Sequence, residues 1–232
     1  MLNKIAASAA EALEGIGDDA TVLIGGFGTA GIPNELIEAL IATGAKGLTV
    51  VSNNAGNGDT GLAALLKTGH VRKIICSFPR QTDSYVFDAL YRAGKIELEL
   101  VPQGNLAERI RAAGAGIGAF FSRTTAGTDL AADRETRTIN GKNYVIEYPI
   151  QGDLALIKAE HGDRWGNLVY NKTARNFGPV MATAAVKTVA SVYDVVSAAL
   201  DPETIVTPGI FVNKIVRIER GATRAIGAQA RG

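Results

Sequence analysis

The sequence predicts an α/β fold with a mainly parallel, mixed sheet sandwiched by helices. Short β-like runs alternate with helical segments through the first two-thirds of the chain, as strands joined by crossover helices require. An antiparallel hairpin region is predicted in the C-terminal third. Apolar residues make up 47% of the 232 residues, enough for a buried core. We expect one domain over residues 1–220 and a loosely held tail at 221–232, which is rich in Gly, Ala and Arg.

The predicted elements follow one another in regular order. Runs of β-branched and aliphatic residues predict strands at residues 21–24, 48–51, 73–76 and 96–101. The helices predicted after these strands cover residues 34–42, 61–67, 84–92 and 106–113. Residues 122–137 are polar, charged and without periodicity, so we expect them to form an exposed excursion.

Two antiparallel pairings are predicted beyond this excursion. Asn140-Gly141 fits a type I′ turn, which needs two positive φ angles, and so indicates a hairpin over residues 138–145. Residues 153–158 and 167–170 flank a polar turn at 161–166, and we expect them to pair antiparallel.

Composition excludes several classes of function. The formal net charge is +1, so nothing global indicates nucleic-acid binding, which calls for clustered Lys and Arg. No apolar stretch approaches the roughly 20 residues that span a bilayer, and Glu11 and Glu14 interrupt a would-be signal peptide. We therefore expect a soluble, cytoplasmic protein that binds neither membrane nor nucleic acid.

Cysteine and histidine give no sign of a metal site. Cys76 is the single cysteine, which excludes an internal disulfide and a thiolate cluster. It ends an apolar run and is predicted to be a small buried residue, with a reactive thiol as the alternative. His70 and His161 lie in polar turns without further ligands at metal-binding spacing, so we predict no metal.

A glycine-rich loop directly after the first strand is the sharpest local feature. Glycines let the backbone turn sharply and let a ligand approach its N–H groups, and the following helix favours anionic groups at its N-terminus. We therefore expect the loop to bind an anionic cofactor or substrate; the alternative is a turn that only packs. Its residues are Gly25, Gly26, Phe27, Gly28, Thr29, Ala30 and Gly31.

The spacing of Gly26, Gly28 and Gly31 also matches the dinucleotide-binding fingerprint. That motif expects an acidic residue about 20 positions further on, where it binds a ribose. Here the second strand runs into Ser52-Asn53-Asn54-Ala55-Gly56, which contains no acid, and Pro33 follows the third glycine unusually closely. A nicotinamide oxidoreductase is therefore disfavoured.

Several blocks together resemble the first (alpha) subunit of the class I coenzyme A transferases, also called the A subunit. The segment from Asp18 to Pro33 is similar to the family's signature, although Asp19 stands where Gly or Asn is usual. The similarity runs from about residue 3 to about residue 216. The further blocks, in the family's order, are Ser52-Asn53-Asn54-Ala55-Gly56, Pro102-Gln103-Gly104, Leu106-Ala107-Glu108-Arg109-Ile110-Arg111 and Ala174-Arg175-Asn176-Phe177.

Within that family, residues 76–81 and 83–88 resemble the branch that acts on 3-oxoadipate. Residues 122–134 depart from the family, because Gly127-Thr128 lacks the aromatic or β-branched residue that often precedes it. Acetoacetate is therefore kept as an alternative substrate. A non-catalytic domain that senses CoA or a sugar phosphate is the alternative from a different class; the intact Asn53-Asn54 block argues against it.

The resemblance implies a ping-pong exchange of CoA between succinyl-CoA and a 3-oxoacid. In two-chain members the nucleophile is a glutamate of the second (beta, or B) subunit, within a Glu-Asn-Gly type motif, which forms a glutamyl-CoA thioester. No glutamate of this chain precedes Asn-Gly, so we expect no catalytic residue here and no activity without the B subunit. CoA is then a substrate and product, no cofactor is tightly bound, and the expected assembly is a hetero-oligomer such as α2β2.

Neutral amides at strand ends form the predicted substrate site. Asn53 and Asn54 follow the second strand and Gln103 the fourth, at the sheet edge where α/β proteins bind ligands. Gln103 also matches the family's active-site glutamine. Amides donate hydrogen bonds without titrating, although such residues often only cap turns. Arg80 is predicted to bind the second carboxylate of a dicarboxylic substrate; a surface arginine is the alternative.

Overall fold

The computed structural model describes residues 2–220 and contains eleven strands and six α-helices in that range. The strands are β1 (Thr21–Ile24), β2 (Leu48–Val51), β3 (Val71–Cys76), β4 (Glu97–Leu100), β5 (Phe120–Ser122), β6 (Thr136–Ile139), β7 (Lys142–Glu147), β8 (Gly152–Asp163), β9 (Leu168–Val169), β10 (Ala185–Val196) and β11 (Lys214–Arg217). The α-helices are α1 (Ala9–Ala12), α2 (Asn34–Thr43), α3 (Gly61–Lys67), α4 (Tyr85–Arg92), α5 (Gln103–Gly114) and α6 (Gly178–Thr183).

The main sheet has the strand order β11-β10-β8-β1-β2-β3-β4, and every neighbouring pair along this path is parallel. The eighth strand, β9, pairs antiparallel with the end of β8. A second, three-stranded antiparallel sheet has the order β5-β7-β6. The predicted α/β class with a mixed sheet is confirmed.

Alternate residues of the central strands face two separate cores, as the two-residue period of a strand requires. Val22 and Ile24 pack in a core with α2 and α3, whereas Leu23 packs on the other face with α5 and α6. A sheet buried on both faces explains why these strands read as continuous apolar runs. The covered faces leave the strand ends as the places where polar side chains can gather.

The predicted strands and helices of the first two-thirds are confirmed, with shifted bounds. The fifth helix begins at Gln103 rather than residue 106, so the predicted site glutamine lies in a helical turn. The hairpin at Asn140-Gly141 is confirmed, with φ angles of 51° and 70°. Strands β10 and β11 and the short helix α6 were not predicted.

Two expectations for the chain beyond residue 121 need correction. Residues 122–137 are not a wholly exposed excursion, because Thr125 is 1% exposed and packs beside buried Glu147. The pairing of β8 with β9 is antiparallel as predicted, but it involves His161 and Gly162, so the turn lies nearer residues 164–167. β8 extends into the residues predicted as the turn and ends at Asp163, whose Oδ1 atom accepts from the backbone nitrogen of Asn167 at 3.1 Å.

The division into a domain over residues 1–220 and a tail stays a prediction, and the tail at 221–232 lies outside the described residues. Across residues 2–220, none of the helices combines the length and the apolar character needed to cross a membrane.

Candidate active site

Three strand ends of the main sheet bring the predicted site residues together at its carboxyl edge. The glycine loop follows β1, the two asparagines follow β2, and Gln103 begins α5 shortly after β4. The β2–β3 pairing continues past the strands through a bridge between Asn54 and Phe78. Ligands of open α/β sheets bind at this edge.

Asn53 and Gln103 are in direct contact. Asn53 is 2% exposed, and its Oδ1 atom accepts a hydrogen bond from Gln103 Nε2 at 2.8 Å. The Ser77 hydroxyl lies 2.7 Å from the same Oδ1 atom. The two amides predicted from separate blocks of the sequence therefore form one hydrogen-bonded group, whose third member is Ser77.

Asn54 links the end of β2 to the glycine loop. Its Oδ1 atom accepts a hydrogen bond from the backbone nitrogen of Gly56 at 2.9 Å, in a turn of the Asx type. Its Nδ2 atom lies 3.5 Å from the carbonyl oxygen of Gly28, at the outer limit of a hydrogen bond. Asn54 thus borders the loop while its own side chain stabilises the turn after β2.

The glycine loop is a closed turn rather than an open row of N–H groups. Phe27 and Ala30 exchange two backbone hydrogen bonds of 3.0 Å, and Gly28 has φ 60°, as the first central residue of a type II′ turn requires. The backbone nitrogen of Gly25 donates to Leu156 O at 2.9 Å, and that of Gly26 donates to Asn176 Oδ1 at 3.0 Å. Four of the seven N–H groups are therefore used inside the protein.

The remaining N–H groups belong to Gly28, Thr29 and Gly31, and they have no acceptor among residues 2–220. Gly28 and Thr29 line a cleft of about 90 Å³ that Asn54 also borders. The structure therefore reduces the number of loop N–H groups that a ligand can use from seven to three.

Asn176 was missed as a site residue. Its Nδ2 atom donates to Ala30 O at 3.1 Å and to Thr173 O at 3.0 Å, while its Oδ1 atom accepts from the nitrogens of Gly26 and Phe177. The sequence placed Asn176 in a recognisable block, but no local signal showed that its side chain would reach the loop.

Arg80 lies on the loop between β3 and α4, with its guanidinium largely exposed. Its Nε atom pairs with Asp88 Oδ1 at 2.5 Å, and within the described chain it is not hydrogen-bonded to Asn53, Asn54 or Gln103. The loop that carries it is tied down by the buried Ser84, whose hydroxyl lies 3.0 Å from Gly56 O.

Cys76 ends β3 beside this site and is fully buried, as predicted. Burial raises the pKa of its thiol to about 12, although a backbone hydrogen bond from Phe78 opposes the shift. The thiol is therefore neutral at physiological pH and is unsuited to act as a nucleophile.

Glu97 and Glu99 lie on an ion-paired face of β4. Lys73 Nζ lies 2.9 Å from Glu97 and 2.8 Å from Glu99, and Arg109 also pairs with Glu99 at 2.8 Å. Burial alone would raise the pKa of Glu99, but hydrogen bonds from Lys73 and Arg109 outweigh it and lower that pKa. Glu99 is thus held as a paired carboxylate.

His161 lies beside two carboxylates, of which only the distant Asp194 could not be seen from the local sequence. Glu160 precedes it on β8 and Asp194 lies beside it on β10, with potential ligand atoms of all three within 4.8 Å of one another. Both carboxylates pair with Arg220, at 3.0 Å for Asp194. One guanidinium therefore already pairs with both carboxylates and offsets one of their two negative charges.

The sequence model of the coenzyme A transferase family matches residues 6–217. The chain belongs to the coenzyme A transferase family. That membership makes it part of an enzyme that uses CoA as a substrate, and it sets aside the oxidoreductase and sensor alternatives.

The chain is similar to the A subunits of two kinds of CoA-transferase. It is 64% identical over 227 residues to the A subunit of 3-oxoadipate CoA-transferase from Pseudomonas putida, covering 97% of this chain and 98% of the relative. It is 65% identical to the protein of the same name from Acinetobacter baylyi, covering 94% and 96%. The A subunit of succinyl-CoA:3-ketoacid coenzyme A transferase from Helicobacter pylori (strain J99) is 45% identical, covering 97% and 99%.

Solved structures share the fold. Glutaconate coenzyme A-transferase from Acidaminococcus fermentans superposes with a TM-score of 0.83 at 20% identity, covering 93% of this chain and 76% of that one. The acyl-CoA transferase YdiF from Escherichia coli O157:H7 gives 0.80 at 23% identity, covering 93% of this chain. The chain spans about half the length, 47%, of the YdiF chain.

Proposed function

We propose that this chain is the A subunit of a two-chain enzyme that moves CoA from succinyl-CoA to 3-oxoadipate. The observation that carries the choice of acceptor is the difference in identity between two groups of relatives. Proteins named for 3-oxoadipate are 64% and 65% identical, whereas those named for 3-ketoacids are 41% to 48% identical. The residues at 76–88 that resemble the 3-oxoadipate branch support the same choice.

The chemistry proposed for the assembled enzyme begins with a carboxylate of the B subunit. That glutamate attacks the succinyl-CoA carbonyl, the C–S bond breaks, and a mixed anhydride and CoA thiolate form. The thiolate then attacks the glutamyl carbonyl, which releases succinate and leaves a glutamyl-CoA thioester. The 3-oxoacid carboxylate takes the CoA by the same steps in reverse.

This chain would supply hydrogen-bond donors to the oxygens that become negative in these steps. The free N–H groups of Gly28, Thr29 and Gly31 and the amide nitrogens of Asn53 and Gln103 lie at one edge of the sheet. Donors fixed in a partly buried site stabilise an oxyanion more than mobile water does. Neutral amides also bind a carboxylate without competing for its proton.

Arg80 remains our proposed ligand for the second carboxylate of 3-oxoadipate. Its guanidinium is accessible but already pairs with Asp88. To bind the substrate, it must either contact both carboxylates at once or release Asp88. We expect Arg80→Ala to raise the KM for 3-oxoadipate in the assembled enzyme and to leave that for acetoacetate unchanged. An unchanged KM for 3-oxoadipate would contradict this role.

The main experiment is to purify this chain with and without its B partner and to assay CoA transfer from succinyl-CoA. We expect transfer to 3-oxoadipate to be faster than transfer to acetoacetate, and no transfer by this chain alone. Activity of the isolated chain would contradict the divided site, and a faster reaction with acetoacetate would reverse the choice of acceptor. The α2β2 stoichiometry, the lack of a tightly bound cofactor and the cytoplasmic location stay predictions; sizing of the complex tests the first.

A further inference from the structure

Ser77 is held directly beside Asn53 by the backbone. It follows β3, and its nitrogen lies 3.2 Å from the carbonyl oxygen of Asn53, while the next nitrogen, that of Phe78, lies 3.0 Å from the same oxygen. A carbonyl oxygen has two lone pairs, so these two donors saturate it. The Ser77 side chain therefore starts from a fixed position next to the Asn53 carboxamide.

The Ser77 hydroxyl has one good acceptor. Its Oγ atom lies 2.7 Å from Asn53 Oδ1 and 3.2 Å from the backbone oxygen of Asn53, which is already saturated. The single hydroxyl proton is therefore directed to Oδ1. Gln103 Nε2 donates to the same Oδ1 atom at 2.8 Å, so both of its lone pairs are used by the protein.

The same contacts decide which way the Asn53 carboxamide faces. With Oδ1 bound on both sides, Nδ2 is left as the free donor, and it has no acceptor within the described chain. If the amide flipped, Oδ1 would face the ligand and the Ser77 proton would lose its acceptor. The terminal torsion of asparagine is intrinsically broad, so neighbours must set this orientation.

We propose that Ser77 is a positioning residue of the transferase, one that orients Asn53 so that Nδ2 donates to the reacting oxygen. This inference rests on the proposed role of Asn53 at the site. Ser77 does not touch the substrate in this scheme. It acts by keeping the oxygen end of the carboxamide away from an oxyanion that the nitrogen end stabilises.

Replacing Ser77 tests this role in the assembled two-chain enzyme. We expect Ser77→Ala to lower kcat about tenfold with KM changed less than twofold, because one hydrogen bond that acts in the transition state contributes on the order of a factor of ten. Ser77→Thr keeps the hydroxyl and should stay within about threefold of the wild type. Ser77→Cys has a weak donor and should give an intermediate kcat.

Ser191→Ala is the matched control. Ser191 is fully buried in β10, and its hydroxyl has no hydrogen-bond partner among the described residues, so its removal should leave kcat unchanged. Unfolding temperature and complex formation, measured for each variant, separate kinetic from structural effects. If Ser77→Ala does not assemble, the remaining variants test the role of Ser77. We then expect kcat to fall in the order wild type, Ser77→Thr, Ser77→Cys, and any other order would contradict the proposal.

A double-mutant cycle distinguishes positioning of Asn53 from a general structural effect. In an Asn53→Ala background, Ser77→Ala should cause no further loss of kcat, because the amide that it orients is gone. Additive losses, or equal losses for Ala and Thr at position 77, would overturn the proposal. Wild-type enzyme without transferase activity would contradict the proposed function itself, whereas active wild type with unaffected Ser77→Ala contradicts only the role of Ser77.

Discussion

The Oδ1 atom of Asn176 accepts a hydrogen bond from the backbone nitrogen of Gly26 at 3.0 Å, across a sequence separation of 150 residues. The Nδ2 atom of the same side chain donates to Ala30 O at 3.1 Å. One carboxamide therefore bridges the start and the end of the glycine turn. Because it donates on one side and accepts on the other, neither a carboxylate nor an apolar residue can replace it.

Asn176→Asp should loosen this turn while keeping the size of the side chain. The aspartate can still accept from Gly26 but cannot donate to Ala30 or Thr173, whose carbonyl oxygens it would face. We expect a loss of about 1–3 kcal/mol in the free energy of unfolding, because two hydrogen bonds of about 0.5–1.5 kcal/mol each are lost. Transferase activity of the assembled enzyme should fall about tenfold if the loss appears in the transition state.

Asn143→Asp is the control for that substitution. Asn143 is exposed and its side chain only accepts a hydrogen bond from Thr138, a role that aspartate can fill. The free energy of unfolding of the Asn143→Asp variant, measured in urea, should differ from that of the wild type by less than about 0.5 kcal/mol. Equal effects of the two substitutions would show that Asn176 does not hold the loop.

Gly28 and Gly31 test the packing of the loop against its neighbours. Both have positive φ angles, 60° and 72°. A Cβ atom on Gly31 would lie 2.4 Å from Ala174 O and 3.0 Å from Asn176 Nδ2, whereas one on Gly28 would meet nothing within 4 Å. A side chain at either position would therefore face the same unfavourable φ angle, but only a side chain at Gly31 would also clash with neighbouring atoms.

We expect Gly28→Ala to destabilise the protein by about 1–2 kcal/mol, from the left-handed backbone alone. Gly31→Ala should destabilise it clearly more, because the loop or the segment around Ala174 must move. Chemical denaturation of both variants measures the difference. Similar losses for Gly28→Ala and Gly31→Ala would mean that the loop can move to accept a side chain at Gly31. The close contact with Ala174 would then not require glycine at that position.

Sequence patterns predicted which residues meet at the sheet edge but not the hydrogen bonds between them. Strand periodicity placed Asn53 and Gln103 at one sheet edge, and they are hydrogen-bonded there. It could not show which loop N–H groups are free, since that depends on Asn176, far away along the chain. It also missed that Thr125 is buried, because the contact that buries it is made with Glu147, on another strand.

The Cys76 thiol should be unreactive in the folded protein. Its pKa is raised to about 12 by burial, so the thiolate that reacts with disulfide reagents is scarce at pH 8. We expect no reaction with a thiol reagent under native conditions and one thiol per chain after unfolding. Rapid native reaction would show that β3 opens at this end.

The same shift gives a pH dependence of stability. The folded state holds the Cys76 proton more tightly than the unfolded chain, whose thiol has an ordinary pKa of about 8.5. This contribution is therefore fully present below that value and is lost as pH rises towards 12. Cys76→Ala should flatten the decline of unfolding free energy between about pH 9 and 11, compared with wild type.

Glu147 anchors the small antiparallel sheet to the helix that begins with Gln103. It is 1% exposed, and its carboxylate lies 2.8 Å from Asn105 Nδ2 and 2.9 Å from Arg134 Nη1. Arg109 Nε lies 3.8 Å away. Asn105 is in the first turn of α5, so this buried carboxylate connects the segment around residues 122–139 with the helix that carries a site residue.

Glu147→Gln should remove the charge and leave Arg134 without its carboxylate partner, whereas Arg109 keeps its pair with Glu99. Breaking a buried ion pair from one side costs about 3–5 kcal/mol, but the Arg134 side chain is partly exposed, so we expect a loss at the lower end of that range in the free energy of unfolding. Glu135→Gln is the matched control, because Glu135 and its partner Arg137 are both exposed and such pairs contribute about 0–1 kcal/mol. Limited trypsin digestion should also become faster at Arg123 and Arg134 in Glu147→Gln, since the small sheet would separate from α5. If digestion and stability match those of the control, the small sheet is held by its own pairing and Glu147 is not its anchor.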